Sequence, residues 1–447
     1  MAKKTVFVQF GGTGDLAKNK LFPAYNKVWE KDHDISVVAL GRRYKDREEF
    51  ISGMSLSPLS SDFLDNIHYV NTDVSNPDID KIASAIIDAS GKEDFEIVYN
   101  LAVLPRLYES IVSIIRSISD TISKDSKRKV REKVVVEKPF GTDLESAKLL
   151  NGLLTENFRE EDIFRMDHYL GKEFIQNILV MRFTNEIIQG VWNKDFIDHI
   201  QVIIDESSGI EDRMAFYEKV GIVRDMVQNH IFQIIAHLTM SEPSTFSSDA
   251  ISHEKSKVLS SLRGIESPVL GSYSSLDRNI PTFVAFKTYV DTFDFSGVPI
   301  YVRTGKRLGK KASKIYVEFK NMRNKHERKK YLDPNHITID IQPEMDIRMG
   351  INMKAHGKGW ESRRSEFVLD HSSTYGIDTP EAYENVMEAI VIDDKSIFPS
   401  WEEIRESWVA VSPILDQKEK EIVKYDDGKI PKEAASLLEK DGRKWVI

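Results

Sequence analysis

Cysteine is absent from the 447 residues, which excludes disulfides, thiolate metal sites and a cysteine nucleophile, and fits a reducing compartment. Any catalysis must therefore rest on other groups. There is no uninterrupted apolar run long enough to span a bilayer, no internal repeat and no low-complexity tract. A cytoplasmic location without a membrane partner is the expectation. Blocks of like charge are missing as well: the net charge of -9 is spread along the chain, which argues against nucleic acid or an anionic membrane surface as partner. What is present is the composition of a globular protein, 41% hydrophobic and 30% charged, in a chain too long for one ordinary core. Two domains are expected.

Residues 5–10 read as a strand that runs into Gly11-Gly-Thr-Gly-Asp-Leu-Ala17 and then a helix-compatible stretch, 18–29. Gly11, Gly14 and Ala17 form a variant of the dinucleotide fingerprint, in which small residues let the backbone approach a pyrophosphate and let helix pack on strand. No Gly-Lys-Ser/Thr follows, so this is not a P-loop. A second strand, 35–40, ends in Gly41-Arg42-Arg43. An acid there would bind a free ribose 2′-hydroxyl, whereas arginines suit a 2′-phosphate, which favours NADP over NAD. Two plainer readings stay open: a solvated basic turn, or arginines stacked on adenine with NAD still possible. Residues 67–70 ending at Asp73-Val74, a helix near 79–89 and a strand at 97–102 continue the alternation and argue a parallel sheet. A helix at 107–123 and a charged connector at 124–133 lead to Val134-Val-Val-Glu-Lys-Pro-Phe-Gly141. That run ends where open α/β sheets bind ligands, and Pro139 biases Lys138 toward an extended conformation that would aim its ammonium into the crevice. A surface lysine at a strand end is the alternative.

Arg165-Met-Asp-His-Tyr-Leu-Gly-Lys-Glu173 packs an acid, an imidazole, a phenol and an ammonium just before Phe174, Ile175, Ile178, Leu179 and Phe183, an apolar stripe at helical spacing. On a helix His168 and Lys172 would share a face and repel by a few tenths of a kcal/mol, so an anion is expected between them, near N–H groups suited to phosphate. A helix start with solvated charges and Asp167 as its cap fits the same residues. Beyond residue 185 strand-like segments dominate, at 199–206, 283–295, 300–303, 315–319, 337–341 and 347–353, several strictly alternating. They predict an antiparallel sheet with one covered face, with helices at 221–240 and 380–387 as cover. The lysine-rich stretch 306–330 reads as loop. In the helix from Gly221, His230 falls on one side with Val223, Val227 and Ile234, as a core histidine or as a general base.

Gly11-Gly-Thr-Gly-Asp-Leu-Ala-Lys-Asn-Lys20, Glu137-Lys-Pro-Phe-Gly141, the Arg165 to Glu173 stretch, Arg224-Asp-Met-Val-Gln-Asn-His230 and Val298-Pro-Ile-Tyr-Val-Arg-Thr-Gly-Lys-Arg-Leu308, in this order, resemble the glucose-6-phosphate dehydrogenase family. More loosely, the likeness runs from the first strand to Lys444-Trp-Val. It implies an α/β Rossmann domain, 1–180, beside an α+β domain, 181–447, built on a broad, mainly antiparallel sheet covered by helices, assembled as a homodimer or homotetramer. It also implies oxidation of glucose 6-phosphate at C1, the first step of the oxidative pentose phosphate pathway, without a metal. Carried over by position, the substrate contacts are Lys20, Lys138, His168, Tyr169, Lys172, Glu206, Asp225, Lys306 and Lys311. The NADP contacts are Gly11, Gly14, Arg42, Arg43, Asp73, Val74 and again Lys138. His230 is the implied base and Asp167 its carboxylate partner. Departures from the family pattern are a shortened segment at 262–282, a different Ile430-Pro-Lys-Glu-Ala-Ala435, and Lys310 standing beside Lys311. Two rivals remain at this point. Another Rossmann sugar oxidoreductase would act on unphosphorylated glucose as well, and a dinucleotide sensor would bind NADPH without turnover.

Overall fold

Runs such as Val6-Phe-Val8, Val37-Val-Ala-Leu40 and Ile97-Val-Tyr99 are buried at every position, so strands made of them must be covered on both faces, as parallel sheets are. The computed structural model describes residues 3–125, 128–263, 265–321, 333–357, 361–370, 380–415 and 422–446. The chain packs as two units, Met1–Gly171 with Pro380–Trp401, and Lys172–Thr379 with Glu402–Ile447. In the first unit the strands are β1 (Lys4–Phe10), β2 (Ile35–Gly41), β3 (Ile67–Asn71), β4 (Phe95–Leu101), β5 (Val130–Val136) and β6 (Ile163–Arg165). Among the described residues every pairing in this sheet is parallel, in the order β3-β2-β1-β4-β5-β6, the doubly wound arrangement of dinucleotide-binding folds. Short polar side chains start the connecting helices: Asp78 accepts from Lys81 N ahead of Ile79–Ser90, and Asp143 with Ser146 forms a capping box ahead of Leu144–Thr155.

Three expectations change here. The charged connector 124–133 is strand in its last part, because β5 begins at Val130 and carries Arg131 and Lys133 within the sheet. Lys133 is fully buried with its ammonium 2.7 Å from Glu96 and 2.8 Å from Asp393, and it donates to Ile390 O at 2.9 Å. Burial of a charge persists only where it is paired, and these pairs hold the segment 380–401 against β5. The helix expected at 380–387 is Ala382–Val391, and it packs in the first unit instead of covering the second sheet. By packing, the division between units falls at Gly171, against 180 as expected from the sequence. Helix Glu173–Phe183 packs with the second unit, where Arg182 donates to His237 O and Met240 O at 2.6 and 2.7 Å.

The second unit adds β7 (Ile197–Asp205), β8 (Glu266–Tyr273), β9 (Phe283–Thr288), β10 (Ile300–Gly305), β11 (Ala312–Phe319), β12 (His336–Gln342), β13 (Asp346–Lys354), β14 (Ser362–Asp370) and β15 (Val423–Tyr425). Their order among the described residues is β14-β13-β12-β11-β7-β10-β9-β8-β15. The sheet is mainly antiparallel, as the alternating patterns require, but β7 pairs with β10, and β8 with β15, in parallel. The first of these exceptions brings two charged residues together. Its register ends on Asp205 opposite Gly305, so Glu206 and Lys306 leave neighbouring strands side by side. The strand expected at 283–295 stops at Thr288, β8 was not anticipated, and 322–330 of the lysine-rich stretch lie outside the described residues.

The helix expected at 221–240 changes winding twice. Helix Met214–Ile222 carries Gly221 at φ 63°, Val223–Ile231 is a π-helix, and Phe232–Thr239 is α-helical and buried at every residue. A buried helix end needs internal donors for its last carbonyls. Arg182 supplies the two bonds just given, and Trp192 Nε1 donates to Leu238 O at 2.8 Å. The same helix is tied laterally: Lys255 and Glu403, both wholly buried, pair at 3.0 Å, and Lys255 reaches Gln233 Oε1 at 3.4 Å.

Candidate active site

The turn after β1 is shaped by what it leaves out. Gly11 has φ 72°, and a Cβ there would stand 2.5 Å from Ala102 O, so only glycine fits. Gly14 N donates to Gly11 O, Lys18 N to Gly14 O, and the chain enters its helix through a π-turn, Ala17–Leu21. A bare backbone turn at the carboxyl edge of a parallel sheet fits a pyrophosphate. Arg42 and Arg43 are exposed just beyond β2, and Arg42 lies 2.8 Å from Asp73. Hydrogen bonds from the Ser75 N–H and hydroxyl, with Arg42 adding, hold the Asp73 carboxyl down to about 2. Val74 follows, half-buried, and Lys20 pairs with Glu381 at 2.6 Å.

Lys138, half-buried, sits at the end of β5 before a cis bond to Pro139. Beside it Glu137 is buried, and burial pushes its carboxyl up to about 7, with Lys138 opposing and Asp167 adding to the rise. The expected helical pairing of His168 with Lys172 is corrected. Asp167 Oδ1 accepts from Tyr169 N at 3.0 Å, Leu170 N and Gly171 N close turns onto Asp167 O and His168 O, and the helix begins only at Glu173, with Lys172 as its cap residue. Local bonding by the aspartate competes with helix here. Segment 380–401 braces the turn: His168 stacks on Tyr383 at 5.8 Å, Asn385 Nδ2 donates to Gly171 O at 2.9 Å, and a Cβ on Gly171 would stand 2.3 Å from Ala382 O. No sequence signal pointed to Tyr383, which lies far along the chain from the turn it supports.

In the second unit, Lys172 donates to Gln342 Oε1 at 2.8 Å. Lys306 lies between two carboxylates, 2.6 Å from Glu206 and 3.7 Å from Asp225, and 5.5 Å over the ring of Tyr217. Tyr217 Oη donates to Asp225 Oδ2 at 2.5 Å, and burial, then Asp225, pushes that hydroxyl well up, so it remains a donor. Carboxylates are acceptors of the type suited to sugar hydroxyls. His230 is buried on the same π-helix as Asp225. Lys311, like Lys310, is exposed ahead of β11, one residue before Ala312 pairs with Asp205. Tyr217, Gln342 and the buried Glu137 escaped the sequence reading. Glu137 was visible only as a neighbour of Lys138.

Family comparison agrees with both halves. The NAD-binding domain of glucose-6-phosphate dehydrogenase matches residues 8–177, and the C-terminal domain of the same family matches 179–446. The glucose-6-phosphate 1-dehydrogenase of Bacillus subtilis is 36% identical over 99% of this chain and 98% of its own length. Among solved structures, a glucose-6-phosphate dehydrogenase in complex with its substrate glucose 6-phosphate aligns over 100% of both chains at 26% identity and a TM-score of 0.89. The enzyme from Mycobacterium avium aligns over 100% of this chain and 99% of its own, also at 26% identity, with a TM-score of 0.85. With both domains matched in sequence and relatives aligned nearly end to end, the chain belongs to the glucose-6-phosphate dehydrogenase family.

Proposed function

We propose that the protein oxidises C1 of glucose 6-phosphate to 6-phospho-glucono-1,5-lactone by hydride transfer to NADP. The observation that supports this most is the full-length likeness to a family member held in complex with glucose 6-phosphate. NADP, when bound, supplies the acceptor for the hydride. Gly11 and Gly14 would hold its pyrophosphate, Arg42 and Arg43 its 2′-phosphate and Asp73 and Val74 its adenine side, and Lys138 would serve both ligands. His168, Tyr169 and Lys172 hold the sugar phosphate, with Lys20 and Lys311 adding positive charge. Glu206 and Asp225 accept from sugar hydroxyls while Lys306 holds the two carboxylates in place. His230 takes the C1 hydroxyl proton as the hydride leaves C1, and Asp167 supports the resulting imidazolium.

Absorbance of reduced nicotinamide tests the reading directly. NADP reduction with glucose 6-phosphate, slower with NAD and far slower with unphosphorylated glucose, is the expected pattern. Comparable rates with glucose would point to a different sugar dehydrogenase, and tight NADPH binding without turnover to a sensor. We further propose a cytoplasmic homodimer or homotetramer. Among the described residues no helix is long and apolar enough to cross a membrane. Among the described residues β14 is an outermost strand of its sheet, and Phe367, Val368 and Leu369 on it are each more than half exposed, a surface suited to a second copy. Light scattering on the wild type and on Phe367→Glu checks the assembly; a monomer at micromolar concentration removes it.

A further inference from the structure

A π-helix is rare and seldom extends past a turn without something to hold it, and it recurs at functional sites. In Val223–Ile231 the side chain of Asn229 bonds to the helix's own main chain. Asn229 Nδ2 donates at 3.2 Å to Arg224 O, the carbonyl five residues back, while Asn229 Oδ1 accepts from His230 N at 2.6 Å. A single amide thus serves a carbonyl on one turn and an N–H on the next. The winding has a consequence for the residues it carries. At about 100° per residue an α-helix sets residues five apart roughly 140° from each other. The wider i→i+5 turn, at roughly 80° per residue, brings them to about 40°. Asp225 and His230 are five apart, and both are buried. In α-winding one of them would turn away from the side that the other occupies. We infer that Asn229 is a positioning residue: its amide holds the π-register, and the register sets Asp225 and His230 on one face. The inference rests on the roles proposed above for those two residues.

The test uses the full-length enzyme in three forms: Asn229→Leu, of nearly the same size without polar atoms; Asn229→Asp, which keeps the acceptor for His230 N–H and loses the donor to Arg224 O; and His230→Asn. Each is measured for kcat, for KM of glucose 6-phosphate and for the primary isotope effect with C1-deuterated substrate, and the Asn229 variants are crystallised. For Asn229→Leu the expected result is a fall in kcat of about 10²-fold, the scale of a small misplacement of reacting groups, with a larger isotope effect and α-winding through 223–231. Asn229→Asp should fall between it and wild type. A merely structural role would lower the active fraction and leave KM and the isotope effect unchanged. Retained π-winding in Asn229→Leu, or kcat within threefold of wild type, overturns the inference. Should the leucine variant not fold, Asn229→Asp decides by the same criteria. Failure of the functional reading looks different: His230→Asn would then keep wild-type kcat, whatever the register in the Asn229 variants.

Discussion

The turn at Gly11 in the first unit and the helix Val223–Ile231 in the second are shaped by opposite means. The turn removes side chains so that main chain can approach a ligand, and its reason is local, since a positive φ and the nearby Ala102 O both demand glycine. The helix keeps every side chain and changes the angle between them. Subtraction of that kind is written in residue identity. A change of winding is written there only in part, because the bridge that Asn229 makes from Arg224 O to His230 N shows only once the chain has folded. The two regions should also fail differently, the first in affinity for the dinucleotide and the second in turnover.

The largest effect is expected on the π-helix. His230→Asn should lower kcat by about 10² to 10⁴ with modest change in KM, and Asp167→Asn should do less damage. A variant at position 230 that keeps more than a tenth of wild-type kcat would sink the assignment. Next comes a pH effect at the end of β5. Glu137 has its carboxyl raised from 4.5 to about 7, so between those values the native state holds the proton that the unfolded chain has released, and stability falls as pH rises. At 1.36 kcal/mol per unit the shift corresponds to about 3 kcal/mol. Glu137→Gln should therefore unfold at higher urea than wild type above pH 7, with the gap closing toward pH 4.5. Parallel midpoints for the two proteins across this range would refute it.

On the cofactor side the loss should be smaller and confined to KM. Replacing Arg42 and Arg43 together by alanine should raise the NADP KM at least tenfold and leave NAD nearly unchanged, since charge-assisted bonds contribute about 1.5 to 3 kcal/mol. Equal losses for both cofactors would mean that the arginines do not read the 2′-phosphate. The smallest change is expected for Lys172→Gln, roughly a tenfold weakening of glucose 6-phosphate with little effect on glucose. Proportional loss on both sugars would withdraw the phosphate role.

Much of the first unit was legible. β1, β2, β4 and the glycine turn stand where continuous apolar runs and small residues put them, because such runs have one low-energy use, a strand buried on both faces. Arg131 and Lys133 misled for the converse reason: their charges looked solvated until Asp162, Glu96 and Asp393 arrived from elsewhere in the chain. The turn at His168 was mistaken for a helix because spacing alone carries no record of Asp167 bonding to Tyr169 N or of Ala382 crowding Gly171.

Residue types, local periodicity and backbone permission were determined by the sequence itself, since each depends on a few neighbours along the chain: the nucleotide turn, the strands and the identities of Glu206, Asp225, His230 and Lys306. Tertiary structure alone decided which distant groups meet. The parallel pairing of β7 with β10 set Glu206 beside Lys306, Tyr217 found Asp225, and Tyr383 came to lie on His168. Those outcomes turn on long-range packing and on buried polar groups finding partners, terms that a window of neighbouring residues does not contain.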